Sequence, residues 1–183
     1  MTSIKFAWPL ALTLASPDDC AGLMQHFNSL QELTDWGGEG FRFPPRRLEF
    51  LQQLYKKDSQ SFMLSQPQGP VAFGQICQRF DRHHLARLLV LPQWRGQGLS
   101  QALLWSLIAR GSEQNSQKDF SLFVFKHNLR AQHCYQTFGF TPAPQPATPH
   151  PELVFMHLSQ HQAKTKLQHP PQLSLTSAFA GNP

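Results

Sequence analysis

Charged residues are scarce in this sequence: they make up 15% of its 183 residues, against about a quarter in an average soluble domain. So low a charge content excludes a chain that is kept disordered by its own charges. Cysteine is scarce too, and Cys20, Cys77 and Cys134 are too scattered for a disulfide framework or a CxxC motif. We therefore expect a reduced, cytoplasmic setting.

Long apolar segments are also missing. No run approaches the roughly 18 apolar residues that a membrane span needs, so we expect no contact with the membrane interior. The amino terminus lacks the basic start and the small-residue cleavage site of a secretory signal. An edge strand over residues 6–15 is the better interpretation of its short apolar run.

The pattern that is present predicts a single α/β domain over residues 1–159, with a polar, mobile tail over residues 160–183. The predicted order is strand, two helices, three strands, helix, strand, helix, strand. The first helix begins at Ser16 and runs to about Ser29, and a later helix over residues 99–110 ends at Gly111. The strands over residues 84–91 and 120–125 flank that later helix, so they should be parallel in a right-handed crossover.

A glycine-rich loop joins the first of these strands to the helix. It reads Gln93-Trp94-Arg95-Gly96-Gln97-Gly98 and is followed by Leu99 and Ser100. Glycines let successive backbone N–H groups converge on an anion, and the start of a helix adds unpaired N–H groups and a positive dipole end. The loop therefore predicts a pyrophosphate site. It lacks the lysine of a P-loop and the third glycine of a dinucleotide fingerprint.

The loop matches the [Q/R]-x-x-G-x-[G/A] signature, and the chain resembles the GCN5-related N-acetyltransferase (GNAT) superfamily. A second match lies downstream, where a strand at 123–125 precedes Asn128, Ala131, Tyr135 and the segment 138–140. The resemblance covers residues 71–140. It implies a mixed β-sheet flanked by helices, which splays between the strands over residues 84–91 and 120–125, with acetyl-CoA in the wedge.

The same resemblance implies roles for individual residues. Tyr135 would be the general acid that protonates the leaving thiolate. Asn128 would contact the pantetheine arm of acetyl-CoA. The remaining cofactor-binding residues would act through the strand end and the loop, and they are Leu89, Val90, Leu91, Arg95, Gly96, Gln97, Gly98, Leu99 and Ser100.

The sequence indicates the acceptor site less clearly than the acetyl-CoA site. The segment containing Trp36, Glu39 and Phe41 combines flexible glycines with aromatic side chains that could wall a pocket. It could equally be an ordinary connection between helices that packs Trp36 and Phe43 on the core. For the general base, Glu39, Asp81 and the pair His83 and His84 are candidates, as is a water chain. Adjacent strand residues point to opposite faces, so the two histidines do not form a chelate, and we expect no metal.

The favoured function is transfer of an acetyl group from acetyl-CoA to an amine, either a small molecule or a protein or peptide amine, by direct attack. A silent acetyl-CoA-binding regulatory module is the alternative. A nucleic-acid-binding protein is a further one, because the net charge is +5. The basic residues are dispersed, however, with no basic and aromatic platform for a single strand. The last strand could also pair between subunits of a homodimer.

Overall fold

The structure is a computed structural model that describes residues 10–146 and 148–171. Seven strands form one sheet, and six α-helices flank it. The strands are β1 Ala11–Leu14, β2 Ser59–Gln66, β3 Gly69–Arg79, β4 Arg82–Val90, β5 Phe120–Phe125, β6 Thr141–Pro142 and β7 Leu153–Leu158. The helices are α1 Pro17–Gly22, α2 Leu30–Gly37, α3 Arg47–Leu54, α4 Leu99–Gln114, α5 Leu129–Phe138 and α6 Gln160–Leu167.

The sheet is mixed, in the order β1-β2-β3-β4-β5-β7-β6. Consecutive strands from β1 to β4 pair antiparallel with one another, and β7 pairs antiparallel with β5 and β6. Only β4 and β5 run parallel, and α4 forms the crossover between them. The predicted mixed α/β sheet and its parallel central pair are therefore confirmed.

The parallel pair separates after three residues. His83, His84 and Leu85 pair with residues 120–122, and no further pairing follows toward the carboxyl ends of the two strands. A bulge in β4 lies at this point, where Arg87 and Leu88 oppose Gly74 of β3 and Arg87 takes a φ of +52°. The splayed sheet that the resemblance implied is thus present, and the bulge lies where the two strands part.

Apolar side chains cover both faces of the sheet. Helix α4 is buried over most of its length and packs with α5 and α6 on one face, around residues such as Leu107, Leu85 and Phe120. Helices α1 to α3 pack on the other face, where Phe50 and Phe73 are fully buried. The wedge between β4 and β5 therefore opens between two rigid packed layers.

Two helix boundaries and the number of elements differ from the sequence-based predictions, which contain six strands and no counterpart of β6. Helix α1 has the expected Ser16 cap but ends at Gly22, and a 3₁₀ turn over Leu23–His26 precedes the separate helix α2, so three helices rather than two follow β1. Gly111 does not end α4, which continues to Gln114. A Cβ at position 111 would lie 2.7 Å from Cε1 of Phe120. Glycine is therefore needed at this position because the Phe120 ring packs closely against the helix, and not because the chain turns there.

The segment predicted as an irregular tail begins with a helix. Ser159 and Gln162 form a capping box for α6, and Ala163 is buried against the core. The Trp105 indole N–H donates to the Lys166 carbonyl oxygen at 3.2 Å, which fixes α6 on α4. The prediction of a tail from residue 160 is therefore wrong for Gln160–Leu167. The predicted tail from residue 172 and the start of the predicted first strand lie outside the described residues.

Candidate active site

Two adjoining cavities occupy the wedge. The smaller has a volume of about 520 Å³ and lies over the start of α4, while the larger has about 990 Å³ and extends along the sheet toward α2. Six residues line both cavities: Leu88, Leu89, Arg95, Asn128, Ala131 and Tyr135. Two ligands that occupied the two cavities would therefore meet at these residues.

The loop before α4 forms a cradle of backbone N–H groups in the smaller cavity. Gly96 and Gly98 have φ angles of +80° and +78°, in the left-handed region that favours glycine. Among the described residues, the N–H groups of residues 96–100 donate to no protein acceptor. Gly98 caps α4 without a side-chain hydrogen bond, so the helix presents its unpaired N–H groups to this cavity. The arrangement suits a di-anionic phosphate group.

Residues of the predicted cofactor set take different positions around this cradle. Arg95, Gly96, Gly98, Leu99 and Ser100 line the smaller cavity, and Gln97 does not. The exposed Arg95 donates from Nε to the Val90 carbonyl oxygen at 3.3 Å, which leaves the rest of its guanidinium available to an anion.

The end of β4 supplies backbone groups to the wedge. The Leu91 N–H donates to the Val71 oxygen at 3.0 Å, so Leu91 is bonded to β3, and this buried residue lines neither cavity. Ladder bonds alternate along an antiparallel strand, so the amide groups of Val90 point away from β3 toward the wedge. Leu89 and Val90 are therefore the residues of the predicted trio that face the smaller cavity.

Helix α5 brings Asn128 and Tyr135 to the junction of the cavities. Asn128 caps the helix, accepting at Oδ1 from the Ala131 N–H at 3.1 Å, so its side-chain NH₂ group stays available to a ligand. Gln101 of α4 donates to the Cys134 carbonyl oxygen at 3.0 Å, which holds α5 against the helix that follows the cradle. The cap and the cross-link together fix the position of Tyr135.

The phenol of Tyr135 keeps its proton. Burial raises the pKa of Tyr135 above its ordinary value, and the neighbouring Cys134 raises it further. Its hydroxyl makes no hydrogen bond with the described residues. A protonated hydroxyl without a protein acceptor, in the wall shared by both cavities, can donate to a ligand there.

The structure places only one of the three predicted acceptor residues, Trp36, in the lining of the larger cavity. Trp36 lines the larger cavity, but its ring packs on Phe27 and Phe73 and its N–H donates to the Arg87 oxygen at 2.9 Å. Phe41 packs on Trp36 with ring centroids 5.9 Å apart and does not line the cavity. Glu39 is exposed outside it. The alternative of a connection that packs Trp36 and Phe43 on the core holds for Trp36, which packs against the core, and fails for Phe43, which is 38% exposed.

Three acids that the sequence analysis did not single out line the larger cavity: Glu32 and Asp35 of α2, and Asp58 just before β2. Ser29 caps this helix and accepts from the Glu32 N–H at 3.1 Å. The sequence did carry this start signal, a serine followed three residues later by glutamate. Asp35 contacts His127 at 3.2 Å, which ties α2 to the loop after β5.

The histidine pair lies on opposite faces of β4, as expected. His84 lines the larger cavity and contacts the Ser121 hydroxyl at 3.0 Å, and burial lowers its pKa to about 3, so it is neutral. His83 contacts the Asn115 carbonyl oxygen on the other face. Asp81 pairs with Lys118 at the surface. The described residues contain no group of three or more side chains placed to hold a metal ion.

A match to a protein family model identifies the family of this chain. A model described as the Acetyltransferase (GNAT) family matches residues 27–140, more than half of the chain. The chain belongs to the GNAT acetyltransferase family. The matched range of this GNAT protein contains the cradle and all six residues that line both cavities, among them Tyr135.

Solved structures share the fold at low sequence identity. The spermidine N-acetyltransferase from Vibrio cholerae, solved with CoA and spermine, has a TM-score of 0.66 at 15% identity, covering 85% of this chain and 98% of that one. Aminoglycoside acetyltransferase AAC(6')-Ib, solved with ribostamycin and coenzyme A, has a TM-score of 0.68 at 18% identity, covering 85% and 96%. These likenesses establish the GNAT fold over most of the chain. Within the described residues, no helix is long and apolar enough to span a membrane.

Proposed function

We propose that this protein is an N-acetyltransferase that moves the acetyl group of acetyl-CoA to an amine by direct attack, with Tyr135 as the general acid. One observation carries the proposal. A cradle for a phosphate group and a second, larger cavity adjoin in the sheet wedge, and the protonated Tyr135 lines both. An enzyme that joins two substrates needs such a junction.

The smaller cavity fits the phosphate end of acetyl-CoA. The N–H groups of residues 96–100 lack protein acceptors, and Arg95 adds a positive charge beside them. Val90 and Asn128 would hold the pantetheine arm through backbone groups and a free side-chain amide, and Leu89 would line the cavity beside it. The CoA-bound structures of both related acetyltransferases support this assignment. When bound, acetyl-CoA supplies an acetyl group activated as a thioester.

The chain's own residues then orient the amine and deliver a proton. The larger cavity receives the amine, which must be neutral to attack; an alkylamine is almost entirely protonated at neutral pH, whereas an α-amine is already neutral in roughly a tenth of molecules. The amine nitrogen bonds to the acetyl carbon, the carbon–sulfur bond breaks, and the nitrogen gives up one proton to solvent. The Tyr135 O–H gives its proton to the departing thiolate sulfur, and solvent restores that proton to the phenol. No residue of the protein becomes covalently modified in this scheme.

The second tyrosine of the chain provides a matched control for this role. Tyr55 is 48% exposed and lines neither cavity. Release of free CoA thiol should be measured for the wild type, Tyr135→Phe and Tyr55→Phe with a panel of amines, after acetyl-CoA affinity has been measured by calorimetry. We expect Tyr135→Phe to lose at least about tenfold in turnover with its affinity for acetyl-CoA intact, and Tyr55→Phe to match the wild type.

Three results would contradict the proposal at different points. Equal turnover of Tyr135→Phe and the wild type would remove the acid role alone. Tight binding of acetyl-CoA without turnover on any amine in the panel would favour the silent regulatory module. Acetylated protein in an intact mass spectrum after acetyl-CoA is added alone, and chased by amine, would replace direct attack by a covalent route.

A further inference from the structure

The larger cavity is lined by an excess of basic side chains. Its cationic residues are Lys56, Lys57, Arg79, Arg87 and Arg95, and its acidic residues are Glu32, Asp35 and Asp58. Among the described residues, none of these five cations lies within 4.0 Å of a carboxylate oxygen. The cavity thus presents positive charge that the protein itself leaves uncompensated.

Two of the three acids are already engaged by protein groups. The Glu32 carboxylate accepts from the Asn28 N–H at 2.8 Å. The Asp35 carboxylate accepts from the Gln31 side-chain amide at 2.7 Å and contacts His127 at 3.2 Å. These contacts engage both carboxylates with protein groups on or beside α2 and after β5, while their charge still counts among the three acids that face five cations in this cavity.

Arg87 is the most unusual of the cations. Its Nε is buried without a hydrogen-bond partner, while one terminal nitrogen donates to the Gln75 side-chain oxygen at 2.7 Å. The guanidinium carbon lies 5.6 Å from the centre of the Phe41 ring. Arg87 is half-buried and has no carboxylate partner among the described residues, and burying a charge without such a partner is costly, so an anion that arrives with a ligand would be favoured.

The backbone holds Arg87 in this position. The residue forms the bulge of β4 with a φ of +52°, a left-handed conformation that non-glycine residues seldom adopt. The Trp36 indole N–H donates to its carbonyl oxygen at 2.9 Å. Strain of this kind persists only where the surrounding structure enforces it, and it is frequent at ligand sites.

Arg87 belongs to the acceptor side of the wedge. It lines the larger cavity and is absent from the lining of the smaller one, which holds the phosphate cradle. Arg95 lines both cavities and serves the cradle, so the phosphates of acetyl-CoA account for Arg95 and leave Arg87 without an anionic partner.

From this juxtaposition we infer that the acceptor is an amine that also carries an anionic oxygen group, a carboxylate or a phosphate, which Arg87 binds. This inference rests on the proposed function and names the substrate class of its acceptor cavity. It separates this chain from the two related enzymes whose structures contain spermine and ribostamycin, because those molecules are polycations. Arg87 is then the residue that determines acceptor specificity.

The first test uses the wild type alone. Acetyl transfer should be compared among matched acceptors: amino acids, their carboxamides, aminoalkyl phosphates and polyamines. We expect the kcat/KM of the preferred anionic amine to exceed that of its neutral counterpart by about 10- to 100-fold, the ratio for one charge-assisted contact. The amino acid and aminoalkyl phosphate arms decide between carboxylate and phosphate. A preference for neutral amides or polyamines would overturn the inference.

The second test uses Arg87→Gln and Arg87→Lys, with Arg46→Gln as control. Arg46 has a side chain that is 72% exposed and lines neither cavity. Arg87→Gln should lose most of the preference for the anionic acceptor, while its kcat/KM for the neutral acceptor stays within about threefold of the wild type. Arg87→Lys keeps the positive charge but loses the planar guanidinium, so its preference for the anionic acceptor should lie between those of the wild type and Arg87→Gln. Equal losses for both acceptors would reduce Arg87 to a structural role.

These results stay distinguishable from failure of the proposed function. Absence of acetyl-CoA binding, or of acetyl transfer to every amine, would overturn both the proposed function and this inference. Active transfer with the wrong acceptor preference would overturn only the inference. Thermal unfolding and acetyl-CoA affinity of each variant show whether a loss reflects the fold.

Discussion

The geometry of the phosphate cradle predicts how Gly96→Ala should behave. Gly96 has a φ of +80°, and a Cβ built there meets no atom within 4 Å, so alanine would be strained by its backbone and not by a collision. A non-glycine residue in the left-handed region costs about 1–2 kcal/mol. The loop can relieve that strain by rotating its peptide units, and rotation moves the N–H groups of residues 96–100 out of convergence.

The expected loss follows from the contacts at risk. One hydrogen bond to a charged group contributes about 1.5–3 kcal/mol, so the loss of one N–H contact to phosphate weakens acetyl-CoA binding by about 10- to 100-fold. Gly69→Ala is the matched control: Gly69 has a φ of +135° with open space around it, in the hairpin between β2 and β3 and away from both cavities.

Calorimetric titration of acetyl-CoA and thermal unfolding of both variants check the prediction. Both should unfold a few degrees below the wild type, since about 1 kcal/mol shifts the melting temperature by roughly 2–4 °C in a chain of this size. Only Gly96→Ala should bind acetyl-CoA more weakly. If it binds within about twofold of the wild type, while unfolding as early as Gly69→Ala, the cradle does not hold the phosphates.

Two further predictions concern pH and packing. Because burial raises the pKa of Tyr135, its phenol stays protonated while the acceptor amine loses its proton. We therefore expect kcat/KM to rise with pH and to show no decline at any pH up to about 10. A decline of kcat/KM between pH 8 and 9.5 that disappears in Tyr135→Phe would contradict this. Gly111→Ala places its Cβ 2.7 Å from the Phe120 ring and should destabilise the fold by about 1–2 kcal/mol in denaturant titrations. Gly22→Ala, a helical position with nothing within 4 Å, should be neutral or stabilising, and equal effects of the two would refute the packing argument.

Local signals made part of this structure predictable. Asn128 and Gly139 mark the start and the end of α5 because a side-chain cap and a left-handed glycine act within one helical turn. The glycines of the cradle and the strand before it are similarly local. The splay of β4 from β5 was expected from the family resemblance, and the three-residue pairing confirms it.

The rest depended on contacts between distant parts of the chain. Gly111 looks like a helix end, but it is kept inside α4 by the ring of Phe120. Helix α6 buries little beyond Ala163 and is fixed through Lys166 by Trp105 of α4, a partner 61 residues earlier. The position of Arg87 without a carboxylate partner depends on a bulge in β4 and on contacts with Gln75 of β3 and Phe41 of the loop after α2, which no local pattern contains.

The most direct test of the account is a calorimetric titration of acetyl-CoA into the wild-type protein. The wedge and its cradle predict saturable binding of one molecule per chain, with free CoA competing for the same site. The absence of any saturable heat would contradict the central claim, which is that the cradle in the wedge binds the phosphates of acetyl-CoA.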